Sequence, residues 1–300
     1  MKQQDRISFY DQISRNKRNS VFLIILIMAV FILLAYVIGL IYQADFFFIL
    51  IAGIIISILY VVIGYYNSDK IAIASVNAQP ANRNQFRQYY DSVEGLTLAS
   101  GLPMPKLYVM QNSQINAFAT GRDPKNAVVC VTTGALEKLS KQELEGVLSH
   151  ELSHVANYDI RFMTLVAVLV GMIAIISEIF LRSLWFKGND REGKANVALM
   201  LIGIVLAILA PIAVKLVQLA ISRKREYAAD ASAVKFTRSP SGLKNALIKI
   251  KNESVSMQDV RKINKAVAPL FISDPFKKKI SGLFSTHPAL DDRIKILERM

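Results

Sequence analysis

Cysteine is almost absent from this chain: Cys130 stands alone among 300 residues. No disulfide can form within the chain, which excludes a small cross-linked secreted scaffold and suits a reducing compartment. Cys130 lies in the apolar run Ala127–Thr132 and reads as a small core residue rather than a nucleophile. Histidine is nearly as scarce, with three in all, so two that stand at ligand spacing are informative. Acidic residues are also few, 23 against 36 basic ones, giving a net charge of +13. An excess of that size points to nucleic acid or to an anionic membrane surface. No nucleic-acid motif accompanies it, so the expected partner is the lipid bilayer, with no nucleic acid. Internal repeats and low-complexity segments are absent as well.

What the chain has in excess is long apolar runs. Val21–Tyr42 and Phe46–Tyr66, separated by Gln43–Asp45, each reach the roughly 20 helical residues that cross a hydrocarbon core. Neither run has a polar face, which argues against two core helices of a soluble protein. The first is too long for the apolar part of a signal peptide, and a second run follows almost at once. A weaker pair comes later. Phe162–Phe186 is interrupted by Glu178 and Arg182, one helical turn apart and able to pair, and Val197–Ala220 by Lys215 and Gln218. Hydropathy leaves open whether this second pair spans the bilayer or only dips into it.

Basic residues set the expected orientation. Lys2, Arg6, Arg15, Lys17 and Arg18 precede the first run, and Arg223, Lys224 and Arg225 follow the last, whereas Gln43–Asp45 has none. The positive-inside rule puts both termini and residues 67–160 in the cytosol. Residues 221–300 hold 17 Lys/Arg against eight Asp/Glu, a balance that favours apposition to anionic headgroups.

Between the apolar pairs the pattern is mixed. The spacing predicts a helix over 85–99, ended by Gly101 and Pro103, then strands at 106–110, 115–120 and 127–132 with a Gly-Arg-Asp-Pro connection between the last two. A short helix from Gly134 to Leu139 follows, and then a longer one from Lys141 to Asn157. Further helices are expected at 222–238 and 243–252, an irregular stretch at 262–284, and a terminal helix with Pro288 at its first position.

The helix from Lys141 carries the chemistry. Ser140 and Glu143 form a capping box, and Leu144, Val147, Leu148 and Val155 recur at helical spacing. Residues 150–154 read His-Glu-Leu-Ser-His, so His150 and His154 share a face and can grip one zinc ion. Glu151 stands where a general base must stand to take a proton from an activated water. A catalytic zinc needs a third protein ligand, and no third histidine lies near. A carboxylate is the obvious candidate, and Glu226, just beyond the fourth apolar run, stands in a suitable place. The topology returns it to the face that carries His150. Spacing alone leaves a second reading, a solvated carboxylate neutralised by its neighbouring arginines. Asp230, one turn on, could fix the tautomer of a ligand imidazole.

Residues 148–159 (LSHELSHVANYD), 222–230 (SRKREYAAD), 116–121 (NAFATG) and 285–294 (STHPALDDRI) together resemble the HtpX family of membrane-integrated zinc metalloproteases, related to the CAAX prenyl proteases. The resemblance runs in order over about residues 15–300. It implies an α-helical integral membrane protein with four transmembrane helices and a cytosolic α+β domain of gluzincin type. The implied site has one catalytic Zn²⁺ on His150, His154 and Glu226, with Glu151 as base. His287 and Arg293 resemble family residues near the metal and are candidate transition-state stabilisers; His287 alone would read as a helix cap. Tyr227 is a further possible donor, or a packed aromatic. Asn116, Ala117, Phe118 and Ala119 match the edge strand beside the cleft, where an extended peptide can add by backbone hydrogen bonds. Asn157 and Asp159 match the family pattern with no role assigned from chemistry.

The expected organisation is a basic cytosolic N-terminus (1–20), a membrane hairpin (21–66), the first half of the protease domain (67–161), a second membrane hairpin (162–220) and the second half of the domain (221–300). The implied activity is endoproteolysis of misfolded or damaged membrane proteins at the cell membrane.

Overall fold

The structure is a computed structural model and describes residues 9–42, 45–185, 203, 223–253, 271–272 and 288–300. Helix α1 (Phe9–Tyr42) is continuous through Val21, so residues 9–20 and the first apolar run form one rod of 34 residues. At 1.5 Å per residue that rod is about 50 Å long, well beyond a hydrocarbon core of about 30 Å. The rod is thus longer than a single crossing needs. Helix α2 (Phe46–Tyr66) packs antiparallel to it after Asp45, whose side chain caps its first turn by accepting from the Phe48 N–H. Among the described residues, α1 and α2 are the two helices long and apolar enough to cross a membrane. Their outward faces expose Phe22, Ile25, Phe47, Phe48, Ile51 and Ile55, as a lipid-facing surface would.

Helix α3 (Ser68–Ser75) leads to a four-stranded sheet of order β1-β2-β4-β3, made of β1 (Gln79–Pro80), β2 (Lys106–Met110), β3 (Ala117–Thr120) and β4 (Val128–Thr132). β1, two residues long and ending in Pro80, can only be an edge. β3 and β4 pair antiparallel across the Gly-Arg-Asp-Pro connection, and β2 runs parallel to β4. Both faces of the sheet are buried. Met110, Phe118, Val128 and Cys130 pack toward α1, α2 and α7 (Asp159–Trp185), while Leu107, Val109, Ala117, Val129 and Val131 pack toward α4 (Arg87–Ser100) and α6 (Lys141–Ala156). That two-sided burial is why β4 reads as an unbroken apolar run rather than an alternation. It also places Cys130 in the core, where burial pushes its thiol well above the ordinary range.

α4 ends at Gly101, whose φ of +72° supplies the left-handed cap that closes the last turn. After α5 (Thr133–Lys138), α6 begins with both halves of the capping box formed. α6 is almost wholly enclosed by the sheet, α4, α8 (Arg223–Thr237) and α9 (Ser241–Asn252). Its approach to α9 is close enough that a Cβ on Gly146 would lie 2.3 Å from the Leu243 backbone nitrogen. A side chain of any size there would push α6 away one turn before His150.

Three sequence expectations need comment. The terminal helix α10 (Leu290–Leu297) starts two residues beyond Pro288, which precedes the helix instead of opening it. α7 begins at Asp159 rather than Phe162 and is continuous to Trp185. Residues 186–202 and 204–222, which hold most of the expected fourth apolar run and its connecting turn, lie outside the described residues, as does most of the 262–284 stretch.

Candidate metal centre

α6 and α8 build the centre. His150 and His154 sit one turn apart on α6, and α8 lays Glu226 against both. The two Nε2 atoms are 3.2 Å apart, and each lies 3.6 Å from a Glu226 carboxylate oxygen. A tetrahedral ion with bonds of about 2.0–2.1 Å would space its ligand atoms about 3.3–3.4 Å apart. The donor set fits.

The remaining ring nitrogens are fixed by carboxylates. Asp230 Oδ1 lies 2.9 Å from His150 Nδ1, and Asp159 Oδ2 lies 2.9 Å from His154 Nδ1. Each carboxylate holds a hydrogen on Nδ1, which leaves the Nε2 lone pair pointing at the common centre. Sequence spacing singled out Asp230 but gave Asp159 no role. Its reach depends on the chain reversing after α6: Tyr158 has a φ of +58°, so the first residue of α7 turns back onto the helix that precedes it. An acid five residues beyond a ligand histidine, across a helix end, was the available signal.

Charge makes an independent test of what the centre holds. His150, His154, Glu151, Glu226, Asp230, Asp159 and Arg293 are all buried. Four carboxylates (Glu151, Glu226, Asp230, Asp159) face two guanidiniums, Arg293 and the largely buried Arg225. With neutral imidazoles, two negative charges remain, which a divalent cation would balance. The metal-free titration follows the same surplus. Burial, reinforced by the charge on Glu226, pushes the Glu151 carboxyl up to about 8 against the pull of His154, Arg293 and the Ala119 backbone N–H. Burial alone would lower His154, but its hydrogen bond to Asp159 and the charges of Glu226, Asp159 and Glu151 outweigh it and raise it to about 9. His150 is lowered, first by burial and then by the neighbouring Arg293.

Arg293 departs from the role implied for it. Its Nε and Nη2 donate to the two oxygens of Asp230 at 2.9 and 2.7 Å, and its Nη1 lies 3.4 Å from Glu226. It is wholly buried behind the ligands. Its contacts hold Asp230 and Glu226 in place, and the donors accounted for face carboxylates, His150 Nδ1 at 3.3 Å and the Ile272 carbonyl at 3.5 Å rather than a substrate oxygen. His287 lies outside the described residues.

The sheet edge also departs in part. β3 is the outer strand beside α6, as the motif implied, but it begins at Ala117, and Asn116 lies in the loop before it. The Asn116 side-chain oxygen accepts from the Ala117 N–H at 3.1 Å. Phe118 points away from the centre and stacks edge-on against Phe271 at 4.9 Å. The Ala117 carbonyl accepts from the Ile272 N–H at 2.9 Å. Two residues of the chain's own distal segment thus cover part of the edge that was expected to be open to a peptide. Ala119, farther along, faces Glu151 with its backbone N–H.

Comparison with known proteins gives a consistent picture. The sequence model of peptidase family M48 matches residues 83–300. A protease HtpX homolog of Dictyoglomus thermophilum is 42% identical over 296 residues, covering 98% of this chain and 95% of its own. A second, from Caldanaerobacter subterraneus subsp. tengcongensis, is 45% identical over 259 residues, covering 83% of this chain and 85% of its own. Among solved structures, S. mikatae Ste24p aligns over 94% of this chain and 65% of its own at 20% identity, with a TM-score of 0.48, a likeness too loose to carry an argument.

Proposed function

Because this chain belongs to peptidase family M48, we propose that it is a membrane-integrated zinc endopeptidase whose metal is held by His150, His154 and Glu226. The observation that carries this reading is the convergence of three buried donors, two of them with tautomers fixed by Asp230 and Asp159. When bound, zinc supplies Lewis acidity to a water and to the peptide carbonyl. Glu151 accepts the proton of the attacking water and returns it to the leaving amine. Asp230 and Arg293 keep His150 and Glu226 in register while the charge redistributes. Ala119, on the rim of β3, belongs to the surface along which an extended peptide would run.

The substrates are proposed to be damaged or misfolded membrane proteins, cleaved at the cytosolic face of the cell membrane. The support is architectural: the same α7 that opens with Asp159 packs on α1 and α2, so the centre stands beside the membrane helices. In lipid nanodiscs the purified chain should cut a destabilised membrane protein that bears no lipid group, giving new N-termini by mass spectrometry. Cleavage that requires a prenyl group on the substrate would replace this reading with lipidated-peptide processing.

Orientation is testable separately. Single cysteines at Gly188 or Asn189, in a Cys130→Ala background, should react with an impermeant thiol reagent added to intact cells. A second apolar pair that fully spans would put this turn outside, about 30 Å from the catalytic face. Labelling only after permeabilisation would leave four spans untenable.

A further inference from the structure

α1 begins well ahead of its apolar run at Val21, and this first part carries a buried polar residue, Asn16. Its side-chain amide donates to Asp159 Oδ1 at 2.6 Å and to the Asn157 carbonyl at 3.0 Å. Its own oxygen accepts from Arg225 Nη1 at 3.4 Å, on the helix that carries Glu226. Asp159 in turn presents its other oxygen to His154 Nδ1. The chain of contacts therefore runs from the first membrane helix through a carboxylate to a proposed metal ligand.

We propose that Asn16 is a positioning residue for the metal centre: its N–H donor selects the orientation of Asp159, and Asp159 then keeps the His154 hydrogen on Nδ1 and its lone pair on Nε2. The membrane hairpin is by this account a component of the zinc site as well as an anchor. This rests on the metallopeptidase reading above.

The directionality of the bonds makes the inference specific. An Asp159→Asn side chain has one oxygen and one NH₂. Facing the Asn16 donor, it places its oxygen toward residue 16 and its NH₂ toward His154, which drives the imidazole hydrogen to Nε2, where a metal must bind. Exchanging the partners (Asp159→Asn with Asn16→Asp) reverses this. The new aspartate accepts from the amide at 159, whose oxygen turns back to His154 Nδ1, while the hydrogen bond that Asn16 gives the Asn157 carbonyl is lost.

The test is zinc affinity by chelator competition in the full chain in nanodiscs, together with the visible spectrum of the cobalt-substituted protein. Outer partners of metal-ligating histidines are worth about 10–100-fold in affinity. Asn16→Leu, one bond farther out, should weaken zinc by about 10-fold and Asp159→Asn by about 100-fold. The exchange variant, which gives up the bond to the Asn157 carbonyl, should recover part of the Asp159→Asn loss and restore the wild-type cobalt spectrum. Ser14→Ala, on the same helix but exposed, should change nothing. If wild type binds no zinc, the metallopeptidase reading itself fails. If wild type binds and Asn16→Leu binds equally well, or the exchange binds no better than Asp159→Asn, the inference about Asn16 is wrong. Should Asn16→Leu fail to fold, the exchange pair decides by itself.

Discussion

Glu151→Gln is expected to retain a full equivalent of zinc and to lose peptidase activity by about 10²–10⁴-fold, the usual range for removing a positioned general base. Glutamine matches the shape of Glu151 and leaves His150, His154 and Glu226 untouched, but its amide cannot take a proton from water. Misfolding is not the expected cause of the loss. Burial keeps the metal-free Glu151 carboxyl largely neutral, so an isosteric neutral amide should leave the stability of the metal-free protein close to that of wild type. Burial holds the Glu151 carboxyl up at about 8 before metal binds, and a dication beside it would favour the ionised, proton-accepting form. Metal content by atomic spectroscopy and initial rates on one preparation check the prediction. Substantial turnover by Glu151→Gln would remove Glu151 from the mechanism.

Glu226→Ala should act on the other half of the site. Losing a direct ligand should cost more than the roughly 100-fold upper figure typical of an outer partner, so zinc should be lost on dialysis and activity with it. A second effect follows from the neighbours. Arg293 Nη1, 3.4 Å from the Glu226 carboxylate, loses that counter-charge but keeps both bonds to Asp230. The fold should therefore survive, and the metal-free proteins should unfold at similar temperatures. A suitable control is Glu298→Ala, an exposed carboxylate just past α10. Glu253 would serve poorly: it pairs with Lys138 and accepts from the Ile115 N–H just ahead of β3, so its loss would disturb the sheet edge. Wild-type zinc affinity in Glu226→Ala would mean that another residue supplies the third donor.

How much of this was legible in the chain differs from part to part. The α6 helix was readable because its signals are local: a capping box at Ser140 and Glu143, an apolar stripe, and two histidines one turn apart. Glu226 and Asp230 share a helix face at the same spacing and needed only the topology to bring them to α6. β2 was readable to the residue, since it is bounded by prolines and loop residues. Asp159 was not, because its contact with His154 depends on a left-handed Tyr158 that nothing in a non-glycine sequence announces. Asn16 was less legible still. It precedes the apolar run, looks like part of a solvated basic tail, and meets Asp159 across 143 positions of sequence. Arg293 lies beside His150 and Glu226, but its role turns on which atoms its five donors face, and Asp230 takes the shortest pair. The cover that Phe271 and Ile272 lay over β3 has the same character: strand pairing between distant segments leaves no periodic trace in either one.

The most direct test of the central claim is a zinc titration of chelator-stripped full-length protein in nanodiscs, with peptidase rate followed against added metal. The account predicts no activity in the stripped protein and a linear return that saturates at one equivalent of zinc. Activity that persists after complete removal of the metal would contradict it.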